Sequence, residues 1–211
     1  MKIAVFGGSG LSGGAFIELA LERGHQVRAL VRESSAAPTG LADGDIVRGD
    51  ALDAEAVSET VEGTEVVVST LGGFRGPESL DAGTANIITA MRAKGLRRLV
   101  ALQGFHMSFD GDPENFAKKF VTAYLAVRCR PILPHSAALG RLLHETDDID
   151  WTLVRVPPIV EKPFTGRASL GRFALGPMSK VAVGDVAATL LDFAGNTASV
   201  RDAPMLVTSQ G

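Results

Sequence analysis

Apolar positions in the first half of the chain follow two alternating rhythms. Short runs at Ile3–Phe6, Gln26–Val31, Ile46–Val47, Glu65–Ser69 and Arg98–Leu102 read as strands. Most are continuously apolar, as strands covered on both faces must be. Between them the spacing becomes helical. Leu11–Arg23 carries Phe16, Ile17, Leu19, Ala20 and Leu21, and Gly24 stops it. Asp53 caps a helix running to about Val61, with Glu55 in its first turn. Ala82–Lys94 sets Ile87, Ile88 and Met91 on one face and ends at Gly95. This β-α-β-α-β-α-β series predicts right-handed crossovers and a mostly parallel sheet.

The second half is less regular. Pro113–Arg128 reads as a helix with Phe116, Phe120, Tyr124 and Val127 on one face, broken by Pro131 and Pro134. A further helix is predicted over Ser136–Thr146 and a strand over Trp151–Val156, ended by Pro157-Pro158. Residues 159–179 are punctuated by Gly and Pro and carry little pattern. Gly184-Asp185 is read as the cap of a last helix to about Ala194, followed by a short strand at Met205–Thr208. The expected organisation is one domain over 1–211, with a core of about 1–156 and a substrate-side lobe of about 157–211.

Composition narrows the function classes. Twenty-one Lys+Arg against 24 Asp+Glu leave a formal charge of −3, which argues against nucleic acid as a partner. The single cysteine, Cys129, allows no intrachain disulfide, and no Cys/His pairs stand at zinc spacing. Asp147, Asp148 and Asp150 read as a solvated charged loop rather than a metal site, so no metal is expected. The N-terminal apolar run is too short for a signal peptide, and no segment has the length of a membrane span. The expectation is a cytoplasmic protein without a membrane partner. Neither motif nor charge specifies an oligomeric state. Glycine fills 24 of the 211 positions, a surplus that points to tight turns or to close approach of backbone to a ligand.

Part of that surplus is concentrated in Gly7-Gly8-Ser9-Gly10-Leu11-Ser12-Gly13, which leaves a strand and opens a helix. A pyrophosphate needs free backbone N–H groups, the positive end of a helix dipole and a backbone without Cβ atoms. This strand-loop-helix context is what turns a glycine string into a dinucleotide motif. Gly7, Ser9, Gly10, Leu11, Ser12 and Gly13 are therefore the candidate phosphate loop.

The spacing Gly7-x-x-Gly10-x-x-Gly13 resembles that of the short-chain dehydrogenase/reductase superfamily, in particular its atypical members with an NAD(P)H-binding fold. The resemblance extends through Val27–Arg32, Val47–Asp53, Val67–Gly72, Asn86–Arg92 and Asp150–Pro158. It implies a Rossmann-like, doubly wound α/β fold with a small loop-rich C-terminal lobe. It also implies that Asp50 and Ala51 lie against adenine and that Thr70, Leu71 and Gly72 run under the nicotinamide ribose. Gln103 and Gly104, with Pro157 and Pro158, would close the site. Pro157-Pro158 and Pro163-Phe164-Thr165-Gly166 look most like the biliverdin-IXβ reductase (flavin reductase) family.

The choice of nicotinamide cofactor rests on the end of the second strand. A carboxylate there selects the ribose 2′-OH of NAD, and a cation selects the 2′-phosphate of NADP. Arg32 holds that point and Glu33 follows it, so NADP is favoured over NAD. Arg28 falls on the same strand face as Arg32 by alternation.

The superfamily pattern of Ser, Tyr and Lys for catalysis is missing. Ala101-Leu102-Gln103-Gly104-Phe105 stands where a Ser is usual, and no Tyr or Lys occurs from Cys129 through Glu145. Tyr124 and Arg128 mimic the Tyr-x-x-x-Lys spacing too early in the chain. Gly104 falls where the biliverdin-IXβ reductase family has its active-site Ser. Hydride chemistry belongs to the cofactor, so loss of these groups does not abolish it. Candidate catalytic groups are Gln103, His106 and Ser108; of these, His106 is the one able to titrate near neutrality. Phe105, Met107, Phe109, Phe164 and Phe173 are candidate walls for a flat apolar substrate. His25, His135 and His144 read as surface or structural.

Two function classes follow. One is an NADPH-dependent reductase of a planar small-molecule acceptor such as a flavin, quinone or bilin-like compound. The other is a non-catalytic NAD(P)-binding redox sensor or regulatory protein, resembling the NmrA-like family. A sugar-nucleotide epimerase ranks last, because 211 residues leave little room for a C-terminal substrate domain.

Overall fold

The computed structural model describes residues 1–72, 76–113, 123, 127, 132–176 and 178–208. Strands β1 (Lys2–Phe6), β2 (Gln26–Val31), β3 (Ile46–Arg48), β4 (Val66–Ser69), β5 (Arg98–Gly104) and β6 (Asp150–Val156) run parallel. With β10 (Met205–Thr208) and β8 (Ala168–Gly171) they form one eight-stranded sheet in the order β3-β2-β1-β4-β5-β6-β10-β8. At its edge, β8 runs antiparallel to β10. A two-stranded pair, β7 (Ile159–Val160) and β9 (Val181–Ala182), stands beside it.

Successive strand residues point to opposite faces, and helices cover both. Ala4 and Phe6 of β1 pack with α2 (Ala54–Val61), α3 (Glu78–Ala93) and α4 (Ile132–Glu145). Ile3 and Val5 pack with α1 (Leu11–Glu22) and α5 (Val183–Ala194). Each face buries its own apolar cluster, which explains the near-continuous apolar runs. The order reverses between β1 and β4, whose crossovers leave in opposite directions, so a crevice opens at their carboxyl ends.

Several boundaries differ from the sequence expectation. α3 starts at Glu78 rather than Ala82, with Glu78 and Asp81 complementing the helix dipole in its first turn. α4 starts by Ile132, and Pro134 stands near its beginning, where an N–H would lack a helical partner anyway. The stretch 159–179, irregular by its sequence pattern, contributes β7 and β8. Both rely on long-range pairing rather than on their own pattern. Within the segment 157–208, α5 packs against α1 and β10 lies beside β6. The helix expected over Pro113–Arg128 falls mostly outside the described residues, as do Tyr124, Arg128 and Cys129; Ala123 and Val127 are helical.

Asp185 is not the cap of α5; that position belongs to Ala182. The Asp185 side chain, 1% exposed, accepts hydrogen bonds from Thr165 N and Oγ1, Gly166 N and Thr208 Oγ1. Burial acts to raise its pKa, but these donors outweigh it and hold the carboxyl below its ordinary value. The loop at 165–166, α5 and β10 are thereby tied together.

Candidate functional site

The crevice at the β1/β4 switch point measures ≈ 580 Å³. Its floor is the glycine loop. Gly7 has φ +83°, a left-handed conformation that lets the chain turn sharply out of β1. A Cβ on Gly13 would stand 2.3 Å from the Gly7 carbonyl oxygen, so only glycine lets α1 pack this close. The Thr70 hydroxyl donates to the Phe6 and Gly7 carbonyls at 3.2 and 3.1 Å and pins the loop to the end of β4.

Gly10 caps α1 without a side-chain hydrogen bond, and no acidic residue occupies the first helical turn. Gly10 lines the crevice, and no local anion competes for the N–H groups of the first turn. Together with the cradle that Cβ atoms would fill, this fits a pyrophosphate.

At one end, Arg32 follows β2 and lines the crevice with Ser34, Ser35 and Ala36. Arg48 donates from Nη1 to the carbonyls of Arg32 and Ser35 at 3.4 and 3.1 Å and shapes that loop from beneath. Arg28 points elsewhere. Its Nη1 donates to the Glu59 and Glu62 carbonyls at the end of α2. Asp50 Oδ1 accepts from Leu52 N, and the Ala51 carbonyl accepts from Asn86 Nδ2 at 3.0 Å, which fixes the opposite wall.

Thus Gly7, Ser9, Gly10, Arg32, Asp50, Ala51, Thr70, Leu71 and Gly72 come together around one crevice. Leu11, Ser12 and Gly13 form the start of α1 behind it. Gln103 lies at the end of β5 and donates from Nε2 to the Leu71 carbonyl at 3.0 Å. Gly104 pairs with Val156, and Pro157 and Pro158 follow at the end of β6, two strands away from β4. Leu30, Ser34, Ser35, Ala36, Gly49 and Ser79 also line the crevice, beyond the residues that the sequence singles out. Ser34 and Ser35 closely follow Arg32 in a polar loop, which is a readable signal. Ser79 stands ahead of the start that residue spacing predicts for α3, and so carries none.

A second crevice of ≈ 580 Å³ lies past the end of β5, between residues 106–110 and α4. His106, Ser108, Met107 and Phe109 line it from one side and Leu133 and Ser136 from the other. Its loop is fixed by Arg155 of β6. This arginine is wholly buried, donates to the Met107 and Ala203 carbonyls, and stacks 5.0 Å over the Phe109 ring. Phe105 instead packs with Leu175, Met205 and Phe173, and Phe164, 66% exposed, borders a groove against α1 and α5.

His135 has a structural role: its Nδ1 lies 2.8 Å from Asp81 Oδ1 and joins α4 to α3. Asp148 is ion-paired with Arg92, whose hydrogen bond holds its carboxyl down to about 2, and Asp150 faces Arg97 at 3.5 Å. Among the described residues, no three His, Cys, Asp or Glu side chains are grouped to hold a metal. Among them, too, no helix is long and apolar enough to cross a membrane.

Strand order, glycine cradle and a helix start without a side-chain cap together define a dinucleotide-binding α/β domain. Residues 7–197 match the NAD(P)H-binding family model, and the chain belongs to that family. A 3-diazoavenalumate denitrifying reductase from Streptomyces is 41% identical over 115 residues, covering 48% of this chain and 37% of that relative. The match therefore spans little more than a third of the relative's length. ChuY, an anaerobillin reductase from Escherichia coli O157:H7, superposes with a TM-score of 0.79 at 20% identity, covering 100% of this chain and 98% of its own. A short-chain dehydrogenase/reductase from Veillonella parvula in complex with NADP superposes at 0.77 with 16% identity, over 100% and 95%.

Proposed function

We propose that the protein is an NADPH-dependent reductase that transfers hydride to a planar small-molecule acceptor of the flavin, quinone or bilin type. The observation that carries the reading is the end of β2. Arg32, Ser34 and Ser35 line the crevice there, and Glu33 does not. A guanidinium beside two hydroxyls suits a 2′-phosphate, whereas NAD recognition would place a carboxylate at this point. NADP bound to the Veillonella neighbour supports the same cofactor. Bound NADPH supplies the hydride, and the chain supplies position and the electrostatic setting.

The acceptor reading draws on the second crevice, whose walls include Met107, Phe109 and Leu133. The names of the Streptomyces relative and of ChuY, both reductases, agree with it. The missing Tyr and Lys favour the alternative of a sensor that binds the nucleotide without turning it over. Calorimetry with NADPH and NADH followed by an acceptor screen separates the two. NADPH binding with turnover of FMN or a quinone is expected. Binding without turnover on any acceptor would establish the sensor instead.

A further inference from the structure

Gly104 and His106 share one volume. A Cβ built on Gly104 would lie 2.6 Å from His106 Nδ1 and 3.0 Å from Cε1. The imidazole thus occupies the space into which a side chain at 104 would project. Its other nitrogen, Nε2, lies 3.0 Å from Ser136 Oγ, on a serine only 3% exposed. The space beside Gly104 and the buried Ser136 hydroxyl both bear on the position of the ring. Both His106 and Ser136 line the second crevice.

That crevice sits next to the cofactor's. The first includes Thr70, Leu71 and Gly72 past β4, the second begins past β5, and β4 and β5 are hydrogen-bonded neighbours. Ser79 lines the first crevice, Asp81 bonds His135, and Ser136 lines the second.

Resting on the reductase reading, we propose that the second crevice holds the acceptor and that His106 delivers the proton accompanying hydride transfer, with Gly104 and Ser136 as its positioning residues. The acceptor gains a hydride from the reduced nicotinamide, which becomes oxidised, and one proton from the His106 imidazolium. The imidazole, one proton short, recovers it from solvent. The apolar stretch formed by Met107, Phe109 and Leu133 takes the face of a conjugated ring system, and the imidazole meets the heteroatom at its edge.

The test uses the full chain, NADPH, and FMN and menadione as acceptor probes. His106→Ala is expected to lose roughly a hundredfold in kcat, the scale of a general acid, with NADPH affinity unchanged. His106→Gly should regain turnover when imidazole is added, which a merely structural role would not allow. Gly104→Ala should lower kcat as well, yet add nothing on the His106→Ala background. Ser136→Ala should lower kcat while leaving KM for the acceptor in place. NADPH binding by each variant reports that it is folded. Wild-type turnover that survives His106→Ala, or a His106→Gly variant deaf to imidazole, overturns this proposal alone. A wild-type chain that reduces neither probe nor any other planar acceptor overturns the reductase reading and this proposal with it.

Discussion

The Arg155 guanidinium and the Asp112 carboxylate meet through two hydrogen bonds of 2.6 Å, with the arginine side chain wholly buried. Arg172 extends the pair, bonding Asp112 at 3.0 Å and Asp202 at 2.5 Å. The network clamps the loop after β5 onto β6 and the approach to β10. Removing one partner strands a buried charge, so Asp112→Ala should cost about 3–5 kcal/mol in urea unfolding. The single tryptophan, Trp151, lies 6.4 Å from the Phe109 ring and gives the fluorescence signal.

Gly13→Ala tests the phosphate cradle. The added methyl meets backbone that cannot swing away, the Gly7 carbonyl oxygen at 2.3 Å and Gly8 Cα at 2.8 Å, besides the Thr70 hydroxyl at 2.7 Å. The loop must open. NADPH affinity in calorimetry should fall at least tenfold, about 1.4 kcal/mol. Unchanged affinity would place the pyrophosphate elsewhere.

Arg32→Ala separates the two nicotinamide cofactors. Charge-assisted hydrogen bonds to a phosphate contribute about 1.5–3 kcal/mol, so NADPH binding should weaken roughly 10- to 100-fold. NADH, with no phosphate at that point, should change little. Equal losses for both would show that Arg32 does not hold the 2′-phosphate.

Asp185 sets an acid limit on stability. Its carboxyl is depressed in the folded chain, so the unfolded chain binds the proton more readily. Its contribution is present above the unfolded pKa, near the ordinary 3.8, and is lost as pH falls through the lower folded value. Asp185→Asn should remove this acid-side slope and cost roughly 1–3 kcal/mol at neutral pH by weakening four hydrogen bonds. Thermal melts across the acid range measure both. An unaltered slope would remove Asp185 from the acid transition.

What was legible in the sequence is what is local. The glycine loop, its strand and its helix lie within Lys2–Glu22, and the alternation of strand and helix follows from residue spacing alone. Most of the crevice follows, because Arg32, Asp50 and Thr70 each stand just past a strand of readable pattern. What escaped depends on partners far along the chain. Arg155 lies in a strand otherwise read as apolar, and its carboxylate partner is 43 residues away. His135 finds Asp81 across 54 residues. The β7/β9 pair is two residues long on each side, too short to show a period. Gly104 is a related case: the His106 imidazole occupies the space into which a Cβ there would project, and a linear reading shows only an absent side chain.

The register of the central pair joins Ile3 to Val66 and Phe6 to Ser69. The crevice therefore exists only after a chain excursion of some sixty residues has closed. No fragment ending before β4 can offer it, and unfolded chains should have no purchase on the nucleotide. Binding then draws on the native state alone and pulls the folding equilibrium with it. At about a hundred times Kd, NADPH should stabilise the protein by ~2.7 kcal/mol, and protection from heat or proteolysis would report it.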